Sequence, residues 1–198
     1  VAVRRQRQMC IRDRNMIGAS NIIALTEDSR AARVCNQRFE FVRDSVFRAH
    51  PWNCLIRRTS LAADSETPAF EFEHQHTLPT DPYCLRVLRA QDLDTVFRVE
   101  GRKIVSSTTP FKMIYVARVT DPNEYDQLLI ETLAARLAAD ISYALVNSAA
   151  LTQTLFGLYE SKLSEARFVD ATEGTPDNVT NIDRASYSES DIFISARL

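Results

Sequence analysis

The chain has 198 residues, of which 45% are hydrophobic, and its formal net charge is −2. This length and composition are typical of a globular protein with one large domain or two small ones, and the near-neutral charge gives no overall basic surface of the kind that indicates nucleic-acid binding. The 4 glycines form no phosphate-loop motif, the 4 cysteines form no CxxC pair and no apolar run could span a bilayer, which excludes Gly-rich nucleotide sites, zinc ribbons and membrane-spanning helices.

The first 14 residues, VAVRRQRQMCIRDR, are basic and show neither helical nor strand periodicity. The piece MCIRD is similar to the in-frame translation of a transposon-end sequencing adapter. Residues 1–14 are therefore predicted to be a non-native or disordered basic segment, and a natural basic arm that binds nucleic acid or a partner is the alternative. Residues 15–25 predict the end of a truncated first helix, with Gly18 as its C-cap.

A helix is predicted from residue 26 to residue 49, with Thr26 as its N-cap. Its apolar residues recur at helical spacing and form one stripe, made of Cys35, Phe39, Val42 and Val46. Pro51 supplies no backbone donor and pushes His50 out of the helical region, so the chain should bend there. Trp52, the only tryptophan, is expected to be a buried anchor, and an exposed interface aromatic is the alternative.

The middle of the chain, residues 70–119, predicts a small and mainly antiparallel β-sheet. Apolar and polar positions alternate from Phe70 to Leu78, and Glu100–Gly101 predicts a hairpin turn. The other strands predicted in this region are Cys84–Arg89, Thr95–Val99, Lys103–Ser106 and Met113–Val119. Residues 53–63, which precede the sheet, are expected to form a short helix or an irregular segment.

A second helical region is predicted from residue 122 to residue 170. Asp121 is the expected N-cap, Pro122 the first helical residue and Glu124 the capping-box acid. Apolar residues then follow at steps of four, at Leu129, Leu133, Leu137, Ile141 and Leu145. Asn147–Ser148 is expected to divide the region into two helices.

After residue 170 the composition becomes polar, and residues 171–198 are predicted to be an extended tail. Large apolar residues return near its tip, at Ile192, Phe193, Ile194 and Leu198. Such a tail is suited to docking on a neighbouring subunit by strand addition. The residues alone therefore predict an α+β fold, in which a helical bundle packs with a small, mainly antiparallel β-sheet and carries an extended C-terminal tail.

Two pairs of residues could carry chemistry, but their spacing supports neither. His74 and His76 form an HxH pair, as in some metal sites, but with 3 histidines in the chain no third ligand follows at a characteristic spacing. His50 and Cys54 are four residues apart, but Pro51 breaks the helix that would bring them together. No catalytic, cofactor or metal-binding residue is therefore assigned, and the chain is not expected to be an enzyme.

Several segments, in this order along the chain, resemble the tail tubular protein A family, the head-to-tail adaptors or gatekeepers of tailed phages. They are RDSVFRAHPWNCLIRRTSLA, HTLPTDPYCLRVL, VEGRKI, IYVARVTDP, ETLAARLAADI and SAR. The most specific are Arg43–Asp44 followed by Pro51–Trp52–Asn53, and Leu78–Pro79 followed by Cys84–Leu85–Arg86. The chain departs from the family in its missing first helix and at Cys54–Leu55, where an aromatic and a small residue are common.

The resemblance implies a virion structural protein with no enzymatic activity, located at the head–tail junction and, during assembly, in the host cytoplasm. It implies a homo-oligomeric ring, with twelve copies expected, between the portal protein and the tail tube or nozzle protein. DNA would pass through its lumen without sequence recognition, and no membrane is involved. The residues expected to serve this architecture and its interfaces are Arg43, Asp44, Pro51, Trp52, Asn53, Arg57, Arg58, Asp121, Pro122, Phe193 and Arg197.

Two other functions stay open on the residues. One is another phage tail-completion or connector protein of similar fold, which the neighbouring genes would distinguish. The other is a small metal- or nucleic-acid-binding regulatory domain or a Cys/His enzyme, which would use the His50–Cys54 pair, the HxH pair or the arginine-rich face of the first long helix.

Overall fold

The computed structural model describes Ile17 and residues 28–173, and residues 28–173 form three α-helices and two small antiparallel β-sheets. The helices are α1 (Arg30–Ala49), α2 (Gln127–Val146) and α3 (Ala149–Thr172), and the strands are β1 (Ile56–Leu61), β2 (His74–Thr77), β3 (Cys84–Ala90), β4 (Phe97–Glu100), β5 (Lys103–Ser106) and β6 (Phe111–Ala117). The predicted α+β fold class is confirmed. The predicted basic segment, the C-cap at Gly18 and almost all of the tail lie outside the described residues.

Helix α2 is the centre of the helical part, because both α1 and α3 pack on it. Its small residues permit this close approach, and the alanines at 134, 135, 138 and 139 are all buried. The apolar stripe predicted for α1 is confirmed, since Cys35, Phe39, Val42 and Val46 are buried as well. None of the helices that the structure describes combines the length and the apolar character needed to cross a membrane.

Helix α1 starts later than predicted. Residues 28 and 29 are not helical, and the Ser29 side-chain oxygen accepts a hydrogen bond from the Ala32 amide at 3.2 Å. Ser29 is therefore the N-cap in place of Thr26, because its hydroxyl satisfies one of the backbone donors that every helix leaves free at its start.

The predicted start of the second helical region is also corrected. Asp121 accepts from the Asn123 amide at 2.9 Å, but it caps only the short 3-10 turn Pro122–Glu124. Tyr125 then leaves the helical conformation, and its buried hydroxyl donates to the Val119 carbonyl at 2.6 Å. Helix α2 begins after this interruption, and Asp126 is its N-cap.

The predicted break at Asn147–Ser148 is confirmed. Asn147 ends α2 in the left-handed region with φ 55°, and Ser148 caps α3 by accepting from the Leu151 amide. Asparagine is one of the few residues that tolerate this conformation without glycine's freedom. Helix α3 continues to Thr172, two residues past the predicted end of the helical region at residue 170.

The prediction of a short helix or irregular segment at 53–63 is wrong for most of its length. Only Asn53–Leu55 form a 3-10 turn, and β1 follows directly and pairs with β6 along six residues in antiparallel register. Strand propensity depends on the neighbours that a segment meets, and β6 supplies them from 50 to 60 residues further along the chain.

The predicted single sheet over 70–119 is corrected to two sheets. The first has the strand order β1-β6-β3 and so begins before residue 70, and the second has the order β2-β5-β4. The strand predicted from Phe70 to Leu78 is shortened to β2, because Phe70 is 80% exposed and Glu71 has φ 72°. The β4–β5 hairpin is confirmed, and Gly101 supplies the positive φ of 60° that its turn requires.

The two sheets meet at Phe111 of β6. Its ring centroid lies 5.6 Å from that of His76 on β2 and 5.4 Å from that of Phe97 on β4. Residues alternate along β6, so Phe111, Met113 and Tyr115 share the face toward the second sheet and are buried. Lys112 and Ile114 lie on the opposite face of the first sheet.

Candidate interaction surfaces at the helix–sheet junction

Trp52 lies at the bend between α1 and β1 and is fully buried. His50 is in an extended conformation, as expected before proline. The indole Nε1 donates to the Val46 carbonyl at 3.0 Å, and the His50 ring packs edge-on against the indole with centroids 4.9 Å apart. The prediction of a buried anchor is confirmed, and the alternative of an exposed interface aromatic is wrong. Pro51 is half-buried beside it.

Asp170 joins this bend to the last turn of α3. Its carboxylate accepts from the Asn53 backbone amide at 3.0 Å and pairs with His50 Nε2 at 2.9 Å. Its carbonyl accepts from the Asn53 side chain at 2.6 Å, and Arg167 donates to the Ala49 carbonyl at 2.7 Å. We call His50, Trp52, Asn53 and Asp170 the Trp52 junction.

The sequence reasoning missed Asp170, although the chain carries a signal for it. An acidic residue in the last turn of a helix lies at the negative end of the helix dipole and is disfavoured there unless other groups compensate. The compensation comes from the amides of Asn53 and the ring of His50, which lie 117 and 120 residues away along the chain. Only the fold brings these groups together.

Arg43 and Asp44 belong to a second network, which fastens α1 to the loops around β3 and β6. Arg43 Nε donates to Asp44 at 3.0 Å, and Arg118 donates to the other carboxylate oxygen of Asp44 at 2.5 Å. Arg118 and Arg102 both lie over the Tyr83 ring, at 4.3 and 4.0 Å from its centroid. This arrangement stabilises a stacked Arg–Tyr–Arg group by cation–π attraction.

Arg102 also anchors the turn that carries the Leu78–Pro79 and Cys84–Leu85–Arg86 motifs. Its guanidinium donates to the carbonyls of Pro79 and Cys84 at 2.7 Å each. Sequence reasoning missed Arg102, Arg118 and Tyr83 individually, although each lies inside one of the quoted motif segments.

Arg57 and Arg58, predicted together, have different environments. Arg57 pairs with Glu124 at 2.5 Å and donates to the carbonyls of Cys54 and Ile56, so it ties β1 to the turn before α2. Arg58 points to the opposite face of the sheet and is exposed. Asp121 and Pro122 lie in that same turn, where Pro122 is buried.

One residue of each pair considered for chemistry, His76 of the HxH pair and Cys54 of the His50–Cys54 pair, is buried or half-buried. His76 is fully buried, with Nδ1 3.0 Å from the Ala62 carbonyl and Nε2 3.3 Å from the Ser106 hydroxyl. Burial raises the pKa of the Cys54 thiol more than a hydrogen bond from the Asp126 backbone lowers it, and the charge of Asp170 adds to the rise, which disfavours the nucleophilic thiolate. Within the described residues no group of three His, Cys, Asp or Glu side chains could hold a metal ion.

Large apolar side chains remain exposed in two regions. On the helices they are Phe41, Tyr143, Val146, Leu158, Phe168 and Val169, and on the loops and hairpin of the sheets they are Phe70, Leu93, Val96 and Val99. Phe70 and Phe168 are 80% and 69% exposed, which is unusual for phenylalanine. These side chains are therefore the candidates among the described residues for contacts with a partner.

Phe193 and Arg197 lie outside the described residues. In comparisons with known proteins, no protein-family model matches the chain, and no curated protein matches it significantly.

Proposed function

We propose that this chain is a virion structural protein, a head-to-tail adaptor that assembles into a ring between the portal and the tail of a tailed bacteriophage. The observation that carries the proposal is where the motif residues lie. Trp52 and Asn53 close the α1–β1 bend on α3, while Arg43, Asp44 and Arg118 fasten α1 to the sheet loops. Several of the motifs that resemble the adaptor family, those that hold Arg43, Asp44, Trp52, Asn53 and Arg118, thus supply the contacts that fasten α1 to α3 and to the sheet loops.

The exposed apolar side chains support an assembling protein. The helix group, with Phe41 and Phe168, is suited to contacts with the portal protein and with neighbouring copies. The loop group, with Phe70 and Val96, is suited to contacts with the tail tube or nozzle protein. Aromatic side chains of this size contribute strongly to protein interfaces because each removes a large area from water.

The charge of the chain suits a conduit for DNA. The formal net charge is −2, so a ring of identical copies carries a net negative charge. A strongly basic lumen would hold the phosphate backbone and slow its passage. In the proposed ring DNA contacts the protein only in transit and without sequence recognition.

The experiment is to mix the purified full chain with purified portal protein and to measure the masses of the complexes by mass photometry and negative-stain microscopy. We expect ring-shaped assemblies, with twelve copies of this chain on each portal. A chain that stays monomeric and ignores the portal would contradict the proposal. The other connector role predicts rings that form on purified tail tubes while the portal stays bare.

A further inference from the structure

The outer face of the first sheet is an open, cationic surface. The antiparallel registers place Arg58 of β1, Ile114 of β6 and Arg89 of β3 side by side, with Ser60 and Lys112 next to them on the same face. These residues and Gln91 line a groove of about 510 Å³, and none of the described residues that line it is acidic. In the part of the chain that the structure describes, neither Arg58 nor Lys112 pairs with a carboxylate.

Strand β1 is an edge of this sheet, and among the described residues no strand pairs with its outer side. The other edge, β3, carries two register shifts, which disturb its row of backbone groups. The register of β1 is unbroken over its whole length. Arg57 occupies the carbonyls at its start, so the open edge runs from Arg58 to Leu61. A regular open edge is a template for an added strand.

The Trp52 junction places the end of α3 beside the start of this edge. Asp170 bonds both amides of Asn53, which lies three residues before β1. The chain therefore leaves α3 next to β1. The 14 residues from 174 to 187 separate Glu173 from Ser188 and can span up to about 45 Å. That reach exceeds the length of β1, which is about 20 Å.

The segment Ser188–Ile194, SESDIFI, is complementary to this surface. Side chains alternate along any strand, so Glu189, Asp191 and Phe193 would share one face and the two isoleucines the other. The two acids then lie about 7 Å apart, next to Arg58 and within reach of the Lys112 ammonium. Cations beside the edge also disfavour strands that lack acidic residues.

We propose that Ser188–Ile194 adds as a further strand to the outer edge of β1 in its own chain, with Glu189 and Asp191 on the cationic face. The segment is tethered beside its acceptor, so it meets its own edge at an effective concentration on the order of millimolar. That concentration exceeds the one at which a second copy is present in dilute solution. This proposal does not depend on the ring.

Hydrogen exchange of the full chain, followed by mass spectrometry at low and at high protein concentration, tests this placement. We expect slow exchange in residues 189–194 and in β1, with equal protection at both concentrations. Replacing Arg58→Glu together with Lys112→Glu should speed exchange of the segment about tenfold, because two attractions become repulsions. Adding Glu189→Lys and Asp191→Lys to that variant should restore protection. The control is Arg98→Glu, on β4 of the other sheet, which removes an exposed ion pair with Glu71 and should leave exchange of residues 189–194 unchanged.

Three results would overturn the proposal. One is exchange of residues 189–194 at the rate of an unstructured peptide in the unaltered chain. Another is protection that develops only at high concentration, which would assign the edge to the segment of a neighbouring copy. The third is binding of a short DNA duplex to the cationic face with no protection of the segment, which would assign the face to nucleic acid. None of these three measurements involves the portal, so each can be interpreted even if the chain forms no rings.

Discussion

Trp52 loses all of its solvent exposure at the bend after α1, and its only polar atom is satisfied by the Val46 carbonyl. The carboxylate of Asp170 is nearly as buried, and it stays compatible with the end of a helix because the Asn53 amide and the His50 ring surround it. The indole contributes buried apolar contact, and the carboxylate contributes directional hydrogen bonds to the Asn53 amide and the His50 ring.

Replacing Trp52 should show how much the junction depends on the indole. We expect Trp52→Ala to lower the free energy of unfolding by about 3–5 kcal/mol through the cavity it leaves. Trp52→Phe should cost about 1–3 kcal/mol, because the Val46 carbonyl loses its donor. Urea unfolding of the full chain followed by far-UV circular dichroism measures both, since each variant lacks the only tryptophan that could report by fluorescence.

The control for these variants is Ser45→Ala, at an exposed position of α1, which should stay within about 0.5 kcal/mol of the unaltered chain. A Trp52→Ala variant as stable as this control would contradict the assigned role of the indole.

The environment of Asp64 makes the free energy of unfolding depend on pH. Burial acts to raise the pKa of this carboxyl, but hydrogen bonds from the Thr77 hydroxyl and amide and the charge of Lys103 outweigh it and hold the pKa below its ordinary 3.8. A lowered folded-state pKa contributes stability above the unfolded value, and this contribution disappears as the pH falls through the folded value. Asp64→Ala should therefore cost about 1 kcal/mol at neutral pH.

The cost of Asp64→Ala should narrow as the pH falls below 3.8, and urea unfolding at a series of pH values measures it. The control is Asp94→Ala, in the exposed loop after β3, for which we expect less than about 0.5 kcal/mol at neutral pH. A constant cost of Asp64→Ala down to the most acidic pH would show that the charge of the carboxylate contributes nothing.

At the scale of elements, the sequence predicted what local patterns determine. The stripe on α1, the break at Asn147 and the hairpin at Gly101 each depend on residues within a few positions of one another. Strand β1 could not be predicted this way, because its pairing partner β6 lies far along the chain. The start of α2 was also misplaced, because the capping sequence at Asp121 forms only a 3-10 turn and Tyr125 after it is extended.

In the candidate site too, local features could be predicted and long-range contacts could not. Trp52 could be predicted as an anchor, because its position after Pro51 dictates a bend. The role of Asp170 at this junction could not be predicted, because an acidic residue near the end of a helix does not indicate which groups it will contact. The role of Tyr83 could not be predicted either, because the two arginines that lie over its ring come from separate loops.

The turn between α2 and α3 predicts an ordering of variants at Asn147. Its φ of 55° lies in the left-handed region, so Asn147→Gly should be neutral or slightly stabilising. Asn147→Ala should lower the free energy of unfolding by about 1 kcal/mol, because a Cβ is strained in this conformation. Thermal unfolding of the full chain measures the difference. Equal stability of the Gly and Ala variants would show that the turn adopts another conformation.

On the scale of the whole molecule, the described helices differ in how much of their surface is buried. The described core around α2 and Phe111 is buried. Helix α3 is different, because only Leu155, Ala166 and Asp170 of its 24 residues are buried. A long helix that buries one narrow face and exposes Phe168 and Val169 is suited to a second contact in an assembly.

This exposed face predicts a selective effect on assembly. Phe168→Glu should leave the stability of the single chain within about 0.5 kcal/mol while it reduces the fraction of chain found in rings on the portal. Gln153→Glu introduces the same charge at an exposed polar position of the same helix and should leave ring formation unchanged. Mass photometry gives the ring fraction, and equal fractions for both variants would place the contact elsewhere.

The contact between Asn53 and Asp170 spans 117 residues, and this separation has a consequence for synthesis on the ribosome. The bend after α1 emerges early, but the carboxylate that holds it is among the last described residues to be translated. The bend therefore lacks its contacts with Asp170 while the sheets and α2 are made, and long-range closure of this kind is slow. A nascent chain stalled before α3 would leave the Asn53 amide and the His50 ring without this carboxylate, and synthesis of α3 would supply it.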